Sequence, residues 1–509
     1  MLKLINYTIL TLLFLAGSVL GAKLYLSGHS ALSLFSFLFM VLTLVIFLLP
    51  KAYAFRFMYP GLVTFILFMM IPIFFTVYIG FTNLSTGHFL SKEQVYGLLK
   101  EETYIPEGSK NYSFKLLEKN SDQYSIFVND ADSTDRGFAA DFPRSQKNGS
   151  VKLTSLSMTI NLAELESQAL GKGKIFQMEE ELKKLIFIMP DGKSLSYYRS
   201  DALANSQHLY TELGDFQLKN TLSNEIYRPD LSTGFFTNNK ENLAPGFFIH
   251  VGFSNFFALF TNDSIKKPFI KIFTWTMVWA AGSVFLTFCL GLFLTLVINE
   301  KGLKGKAVYR MFLIVPYSIP FFISVLVFRG LLNKDFGIIN DVVSLFGIAK
   351  INWLSDPVFA KVSCLIVNLW LGFPYMFLVT TGILQSIPLS IYEAAALDGA
   401  GRWAQLTKIT LPLIMSAVGP LLIGSFAFNL SNFVGIYLLT GGGPPMLDAN
   451  TPAGETDILI SYTYRLAFEG GQGQDFGLAS AIALIIFFII AILTVVNFKY
   501  SGMIKEQKT

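Results

Sequence analysis

The chain has 509 residues, of which 52% are hydrophobic and only 15% are charged. Soluble domains contain roughly 25% charged residues, so this composition excludes an ordinary soluble enzyme and a disordered chain. The net charge of +4 is too small for this length to indicate nucleic-acid binding. The composition therefore indicates a membrane protein that also carries a charged, water-exposed portion.

Eight apolar runs are long enough to cross a bilayer core of about 30 Å, which requires about 20 residues per helix. They are Leu4–Leu26, Ala31–Leu49, Met58–Gly80, Phe269–Ile298, Val308–Leu332, Val358–Ile383, Leu411–Leu439 and Phe476–Phe498. The first run resembles a signal peptide, but the second follows so closely that we expect it to be retained. These runs predict an all-α polytopic membrane protein with eight transmembrane helices.

Basic residues in the short loops indicate the orientation of the spans, because cytoplasmic loops are enriched in Lys and Arg. With the N-terminus inside, the cytoplasmic segments hold twelve basic residues and the short outside loops hold three. The charge distribution therefore predicts that both termini are cytoplasmic.

The segment between spans three and four, residues 82–267, is then a large periplasmic insert that contains 43 of the 74 charged residues. A hairpin is predicted from Leu185–Met189 through Pro190-Asp191-Gly192 to Lys193–Tyr198. Val151–Leu162 alternates in part, and Met178–Lys184 is typical of a short charged helix. We expect a strand-rich domain that docks an external partner, although a spacer is the alternative. The predicted domains are residues 1–81, 82–267 and 268–509.

The sequence lacks the motifs of a phosphate-binding loop, of a metal site and of a disulfide framework. The glycine- and lysine-rich stretches at 171–174 and 302–306 have neither the spacing nor the hydroxyl of a phosphate-binding loop. The four histidines are isolated, and Cys289 and Cys364 both lie in apolar runs. We therefore expect no catalytic residue, no metal site and no cofactor, and we expect that the chain does not itself hydrolyse ATP.

The loop between spans six and seven, residues 385–412, has the pattern of two short helices separated by a glycine. Ser390 and Glu393 have the spacing of a capping box, in which each side chain satisfies a free backbone N–H. Gly399 can adopt the left-handed conformation that ends a helix, and Pro412 can open or kink the next one.

Glu-Ala-Ala, then glycine four residues later, then Ile-x-Leu-Pro after nine residues resembles the EAA loop of ABC importer permeases. In that family the loop is a coupling helix that docks into a cleft of the cytoplasmic ATPase. The resemblance implies a coupling role for Glu393, Ala394, Ala395, Asp398, Gly399, Ile409, Leu411 and Pro412. Capping of its own helix is the alternative role for Glu393.

The resemblance extends over nearly the whole chain. The eight spans, the oversized insert and the stretches Arg329–Leu331, Asn368–Tyr375, Ser425–Asn432 and Thr451–Gly454 resemble the larger membrane subunit of maltose/maltodextrin importers. This implies a bacterial inner-membrane permease that works with a homologous second permease, two cytoplasmic ATPase subunits and a periplasmic sugar-binding protein. An importer of another oligosaccharide, a membrane-anchored carbohydrate enzyme and a sensor are the alternatives.

Polar and aromatic side chains interrupt spans six and seven, where polar groups are costly and usually face a cavity or another helix. Amides and hydroxyls can bind sugar hydroxyl groups, while aromatic rings pack on the C–H faces of a sugar. Spacing alone leaves interhelical hydrogen bonding as a strong alternative. The family resemblance implies substrate contacts at Asn368, Leu371, Gly372, Tyr375, Ser425, Phe428, Asn429 and Asn432. Pro316 and Pro320 predict a kink in span five, either structural or part of a gate.

Overall fold

The structure is a computed structural model that describes residues 2–28, 30–120, 122–130, 137–146, 149–156, 169–300, 302–449, 451–469 and 473–500. Its first three helices are α1 (Leu2–Leu26), α2 (Ser30–Leu48) and α3 (Tyr53–Gly80). α1 and α2 pack closely, since a Cβ on Gly17 would lie 2.5 Å from the Met40 sulfur. A π-turn in α3 just before Pro72 accommodates the missing N–H of the proline.

The insert is strand-rich, as the sequence predicts. It contains α4 (Lys92–Glu101), β1 (Thr103–Tyr104), β2 (Asn111–Asn120), β3 (Gln123–Asp130), β4 (Gly137–Pro143), β5 (Gly149–Lys152), β6 (Thr154–Leu156), α5 (Lys172–Gln177), α6 (Glu179–Leu182), β7 (Leu185–Ile188), β8 (Ser194–Arg199), β9 (Ala202–His208), β10 (Tyr210–Gly214), β11 (Gln217–Asn220), β12 (Ile226–Asp230), β13 (Phe235–Thr237) and β14 (Asn242–Leu243). The predicted hairpin is confirmed, because β7 and β8 pair antiparallel with Ile186 opposite Ser196. The predicted charged helix corresponds to α6. The alternating segment begins as β5 and β6, and its last residues, 157–162, lie outside the described residues.

Two sheets divide the insert. A nine-stranded sheet has the order β5-β7-β8-β9-β2-β3-β4-β6, with β1 beside β9, and its side chains surround the fully buried Leu116, Phe187 and Leu195. β10 to β14 form a five-stranded antiparallel meander that packs α4 over a second core containing Phe236. Each sheet therefore has its own apolar core on the water-exposed part of the chain.

The two ends of the insert meet at the membrane. Thr82 pairs with His250, and the Asn83 amide donates to the Phe247 carbonyl at 3.1 Å and accepts from the Ile249 N–H at 2.8 Å. The chain thus leaves α3 and returns toward the next span through one compact junction.

The membrane core follows the insert. It contains α7 (Ser254–Thr261), α8 (Asp263–Asn299), α9 (Lys306–Ser318), α10 (Phe321–Leu331), α11 (Ile338–Leu345), α12 (Pro357–Ser386), α13 (Leu389–Leu397), α14 (Arg402–Leu430), α15 (Phe433–Thr440), α16 (Leu459–Phe468) and α17 (Phe476–Tyr500). Among the described residues, five helices (α3, α8, α12, α14 and α17) are long and apolar enough to cross a membrane. α9 and α10 make a sixth span if they count as one, and the apolar parts of α1 and α2 are shorter.

Two spans differ in detail from the sequence prediction. The predicted kink of span five is a break with an angle of 91° between α9 and α10. Pro320 has no N–H and disfavours a helical conformation of Ile319, which explains the break. Span seven was predicted to run to Leu439, which is wrong. α14 ends at Leu430, and Asn432 then starts α15 by accepting a hydrogen bond from the Gly435 N–H at 3.2 Å.

α8 and α12 form the tightly packed centre of the membrane core. A Cβ on Gly291 would lie 2.8 Å from the Met376 Cβ, and one on Gly372 would lie 2.8 Å from the Thr287 methyl group. About one turn further along both helices, the buried Thr295 hydroxyl lies 2.7 Å from the Thr380 hydroxyl. Small residues and hydroxyl pairs are the features by which membrane helices approach closely, so this pair provides a rigid support for the groups described next.

Candidate functional site

A cavity of about 560 Å³ lies within the membrane core. Of the eight residues predicted to contact substrate, seven line this cavity and Asn432 does not. The seven are Asn368, Leu371, Gly372, Tyr375, Ser425, Phe428 and Asn429. The cavity is therefore built chiefly by the facing surfaces of α12 and α14. The structure brings together residues that lie about 60 positions apart in the chain.

A chain of amides joins α12 to α14 at this cavity. The Asn368 side-chain N–H donates to the Asn429 side-chain oxygen at 2.9 Å, and the Asn432 amide donates to the Asn368 oxygen at 3.4 Å. Asn429 also donates to the Ser425 carbonyl at 2.8 Å, and Trp279 donates to the Asn429 carbonyl at 3.1 Å. The hydrogen bonding between helices that was the alternative role for these amides is thus present. An amide side chain can still donate or accept further hydrogen bonds beside these.

Aromatic and apolar side chains form the remaining wall. Phe428 is 63% exposed toward the open space, and Tyr375 and Leu371 lie on the α12 side. Eight further residues line the cavity and are not among the predicted substrate contacts: Thr287, Tyr317, Phe321, Met376, Pro420, Leu421, Gly424 and Asn497. Tyr317 and Phe321 flank the break between α9 and α10. Pro316 and Pro320, which predict a kink there, are the sequence feature that could have indicated these two residues. Convergent amides beside aromatic walls are suited to a small polyhydroxylated ligand.

The loop between α12 and α14 is rigid at its centre. Gly399 has a φ of +79°, its N–H donates to the Ala396 carbonyl at 3.1 Å, and the Ala400 N–H donates to the Ala395 carbonyl at 2.9 Å. These two bonds are a Schellman motif, which satisfies the free carbonyls at a helix end. The left-handed helix stop predicted at Gly399 is therefore confirmed.

The start of α13 corrects the sequence prediction. The N-cap is Pro388, with no side-chain hydrogen bond, so the capping box predicted for Ser390 and Glu393 is wrong. Pro388 has an extended ψ of 131°, so the helix starts at Leu389. Ser390 therefore lies inside the first turn of the helix and not at its cap. Glu393 is consequently exposed and does not satisfy the helix terminus.

The exposed surface of α13 contains the other predicted coupling residues. Ala394, Asp398 and Gly399 are exposed, and Ala395 is half-buried. Two apolar side chains that the sequence analysis did not identify also lie open, namely Leu397 at 90% and Trp403 at 74% exposure. Large apolar side chains beside small residues on a short, rigid helix are typical of a surface that another protein covers.

The second half of the loop connects α13 to the membrane core. Leu406–Thr410 form a π-turn immediately before Leu411 and Pro412, which lacks the N–H required by a regular helical turn. Ile409 lies in this turn, and Pro412 occupies the first turn of the regular helix that follows. The Tyr392 hydroxyl lies 3.0 Å from the Thr410 hydroxyl, which joins α13 to α14.

Polar contacts also connect this loop to the neighbouring spans. Arg402 forms an ion pair with Glu300 at 3.2 Å, although both side chains are more than half exposed. The Asn299 side-chain oxygen accepts from Arg310 at 2.8 Å and from Gln385 at 3.2 Å. The ends of α8, α9 and α12 therefore meet beside α13.

The loop between α15 and α16, residues 441–457, lies at the opposite ends of these helices and is centred on a buried carboxylate. Asp457 is completely buried, and it accepts from the Arg465 guanidinium at 2.8 Å, the Ser461 hydroxyl at 2.8 Å and the Gly454 N–H at 2.7 Å. Burial raises the pKa of Asp457 to about 6, and Arg465 opposes that rise. With three donors converging on it, the Asp457 side chain holds the loop together.

Comparison with known proteins identifies the chain. Residues 90–252 match the maltose transport system permease protein MalF P2 domain, and residues 287–501 match the binding-protein-dependent transport system inner membrane component. The maltose/maltodextrin transport system permease protein MalF of Escherichia coli O157:H7 is 40% identical over 98% of this chain and 97% of its own length. The chain belongs to the MalF family.

The chain is also similar to a second MalF protein and, more distantly, to a chain of a solved transporter structure. The Vibrio cholerae MalF protein is 40% identical over 97% of this chain and 96% of its own length. A bacterial alginate ABC transporter, in a crystal structure with an alginate-bound periplasmic protein, contains a chain that is 26% identical, with a TM-score of 0.42, over 50% of this chain and 83% of its own. The MalF P2 match lies wholly within the insert, and the inner-membrane-component match includes both the cavity and α13.

No group of three or more His, Cys, Asp or Glu side chains that could hold a metal ion occurs among the described residues. The Cys364 side chain is buried within the core, whereas Cys289 is exposed on α8. The part of the chain that the structure describes thus offers a cavity and a protein-facing loop as its candidate functional features.

Proposed function

We propose that the chain is the permease subunit of an ATP-driven importer that moves maltose and maltodextrins across the bacterial inner membrane. The single observation that supports this most is the cavity of amides and aromatic side chains between α12 and α14 in a chain that is 40% identical to MalF over nearly its full length. The chain is not itself an ATPase, because it has no phosphate-binding loop.

The proposed topology has eight spans with both termini in the cytoplasm. α1 and α2 and the broken pair α9–α10 add three spans to the five long apolar helices. The excess of Lys and Arg in the segments assigned to the inside supports this orientation. Residues 1–81 then form the first three spans, residues 82–267 the periplasmic insert and residues 268–509 the core permease domain.

The proposed partners follow from the surfaces that the chain presents. A periplasmic sugar-binding protein (MalE-like) docks on the insert, which carries most of the charge. Two cytoplasmic ATPase subunits (MalK-like) are needed, and α13 contacts one of them. Because this chain has one such loop, a homologous second permease (MalG-like) supplies the other.

The proposed mechanism is alternating access. The binding protein delivers the sugar to the periplasmic side, and ATP binding closes the ATPase subunits against α13 and its equivalent in the second permease. α13 transmits this movement to α12 and α14 because the helix is short, terminated by the motif at Gly399 and joined to Thr410. The cavity then opens outward, and ATP hydrolysis returns it to the inward-open state.

We assign direct substrate contact to the cavity-lining residues Asn368, Leu371, Gly372, Tyr375, Ser425, Phe428 and Asn429, and a supporting role in the same site to Asn432. Amide groups would bind sugar hydroxyls, and Tyr375 and Phe428 would pack on the sugar faces. Asn432 contributes indirectly, because its amide donates to Asn368. We assign ATPase coupling to Glu393, Ala394, Ala395, Asp398, Gly399, Ile409, Leu411 and Pro412.

The decisive experiment is purification of the full chain from bacterial membranes, with mass identification of co-purified proteins and of bound sugar. We expect an ATPase, a second permease and a maltodextrin. Uptake of labelled maltose by proteoliposomes that contain this complex, the binding protein and internal ATP should stop when ATP is omitted. Uptake by the chain alone, without any ATPase, would contradict the proposal.

The alternatives give different outcomes in the same preparation. A complex that retains a different oligosaccharide and does not transport maltose would favour another sugar substrate. Release of glucose or shorter oligosaccharides by the purified chain would favour a membrane-anchored carbohydrate enzyme. The 40% identity to a maltose/maltodextrin permease argues against the first outcome, and the position of the amide-lined cavity in the membrane core argues against the second.

A further inference from the structure

α7, the short helix between the insert and α8, has an exposed aromatic face. Phe253, which precedes α7, and Phe257 and Phe260, which lie within it, are 61%, 65% and 56% exposed. They recur at intervals of four and three residues, so they share one side of the helix. The opposite side is anchored, because Leu259 is completely buried in the membrane core.

The position of α7 is fixed by hydrogen bonds to the end of α3, and the residues that follow α3 are bonded in turn to the start of α17. The Asn255 amide donates to the Gly80 carbonyl at 3.0 Å and to the Thr82 carbonyl at 2.8 Å, and Gly80 is the last residue of α3. The Gly477 N–H, at the start of α17, donates to the Leu84 carbonyl at 3.0 Å. α7 therefore lies at the level at which α3 ends and α17 begins.

Aromatic side chains surround this level. Tyr78 stacks on Phe248 with ring centroids 6.3 Å apart, and its hydroxyl lies 3.3 Å from His250. Phe81 packs edge-on against Phe253 with centroids 5.0 Å apart. Amphipathic aromatic groups such as Tyr are enriched where the hydrocarbon core of a membrane meets its headgroups, so the composition at this level is that of a membrane interface.

Basic side chains follow directly. Lys266 and Lys267 occupy the first turns of α8, next to α7, and long lysine side chains can reach the headgroups from such positions. An apolar helix face with neighbouring lysines is the pattern of helices that lie in the plane of the interface.

We propose that α7 lies in the membrane interface on the face from which the insert projects, with Phe253, Phe257 and Phe260 directed into the boundary between phospholipid headgroups and acyl chains. This lipid contact fixes the height of the junction through which the insert returns to the membrane. The inference depends on the positions of α3, α7 and α17 and does not require the proposed substrate.

The test uses the full chain in bacterial membranes with photoreactive benzoyl-phenylalanine in place of Phe257. Phe488, 58% exposed on α17, is the matched membrane position, and Leu231, 68% exposed on the insert, is the matched water-exposed position. After illumination and mass analysis, we expect phospholipid adducts at 257 comparable with those at 488 and at least about tenfold above those at 231. Adducts with another protein at 257, or a lipid yield no higher than at 231, would overturn the proposal.

A second measurement covers the case in which the photoreactive variant does not insert. Spin labels on Phe257→Cys and Leu231→Cys, with both native cysteines replaced by serine, report collisions with oxygen and with a water-soluble nickel complex. We expect oxygen to be the more effective relaxant at 257 and the nickel complex to be the more effective one at 231, on the exposed surface of the insert. Equal, water-like access at both positions would contradict the lipid contact.

Discussion

The two loops at opposite ends of α8 are held together in different ways. Residues 441–457 are stabilised internally, since Asp457 is buried, Trp275 donates to the Thr456 carbonyl at 3.2 Å, and Lys361 pairs with Glu455 at 2.9 Å. The loop from α13 to α14 instead exposes Leu397 and Trp403 and uses the exposed Arg402–Glu300 pair. The first loop is complete within this chain, whereas the second presents a surface that a partner can complete.

The largest expected effect comes from breaking the internally stabilised loop. Asp457→Ala removes the buried carboxylate that accepts from Arg465, Ser461 and the Gly454 N–H, and it leaves Arg465 with only the more exposed Glu469 at 3.3 Å. Removing one partner of a buried pair costs about 3–5 kcal/mol of unfolding free energy. We expect a large fall in the melting temperature of the purified protein in detergent at pH 7.

Asp448→Ala is the matched control, because Asp448 pairs with Lys271 at 3.0 Å in the same loop but both side chains are at least half exposed. Its melting temperature should stay close to that of the unchanged protein. Equal losses in the two variants would show that burial of Asp457 does not dominate the loop.

The next effect concerns the partner-facing loop. Gly399→Asp forces a side chain into a left-handed conformation, which costs about 1–2 kcal/mol, and adds charge to the exposed surface of α13. We expect co-purification of the ATPase and sugar uptake to fall at least about tenfold. The melting temperature of the chain should fall by only a few degrees, because the cost is the backbone strain alone and a Cβ there meets nothing within 4 Å.

Gly401→Ala separates this effect from general disturbance of the loop. Gly401 lies two residues away with an ordinary φ of −66°, and a Cβ on it also meets no atom within 4 Å. ATPase co-purification should therefore be normal. Normal assembly of Gly399→Asp as well would contradict a coupling role for α13.

A smaller and more selective effect is expected in the cavity. Tyr375→Ala removes an aromatic wall without touching the amide chain, so sugar uptake should fall by roughly tenfold while ATPase co-purification is retained. Leu378→Ala, on the same helix and outside the cavity lining, is the control and should transport normally. Unchanged uptake by Tyr375→Ala would place the sugar elsewhere.

Asn429→Ala should be less selective than Tyr375→Ala. The Asn429 side chain accepts from Asn368 and donates to the Ser425 carbonyl, so its removal should lower both uptake and the melting temperature, although Trp279 keeps its bond to the backbone carbonyl of residue 429. Loss of uptake at an unchanged melting temperature would show that the amide acts only on substrate.

The smallest expected effect is that of Glu300→Ala. The Arg402–Glu300 ion pair is exposed to water, where such pairs contribute little. We expect an unchanged melting temperature and uptake within about twofold of the unchanged protein. A large loss of uptake would show that this contact, and not the surface of α13 alone, transmits movement to α8.

The sequence predicted features that depend on local chemistry. The hairpin at Pro190–Gly192 and the helix stop at Gly399 each depend on a turn conformation that few residues adopt, and both are present. The lengths of the apolar runs in the sequence predicted where the five long apolar helices lie. Helical spacing likewise placed Asn368 and Tyr375 on one side of α12, from which both line the cavity.

The features that the sequence analysis missed depend on competition between neighbouring residues. Ser390 matched a capping box, but Pro388 begins α13 earlier. Span seven was extended to Leu439 because the apolar run continues past Asn432, and only the cap to Gly435 reveals the interruption. Tyr317 and Phe321 reach the cavity because the chain bends by 91° between them, an angle that no periodicity encodes.

The 37 residues of α8 have a further consequence. At a rise of 1.5 Å per residue the helix is about 55 Å long, well beyond the roughly 30 Å hydrocarbon thickness. Its first turn adjoins α7, and Glu300 at its end pairs with Arg402, so one continuous helix links the junction of the insert to the loop that contains α13. A tilt of α8 about its close contact with α12 at Gly291 would move the two ends of α8 in opposite directions.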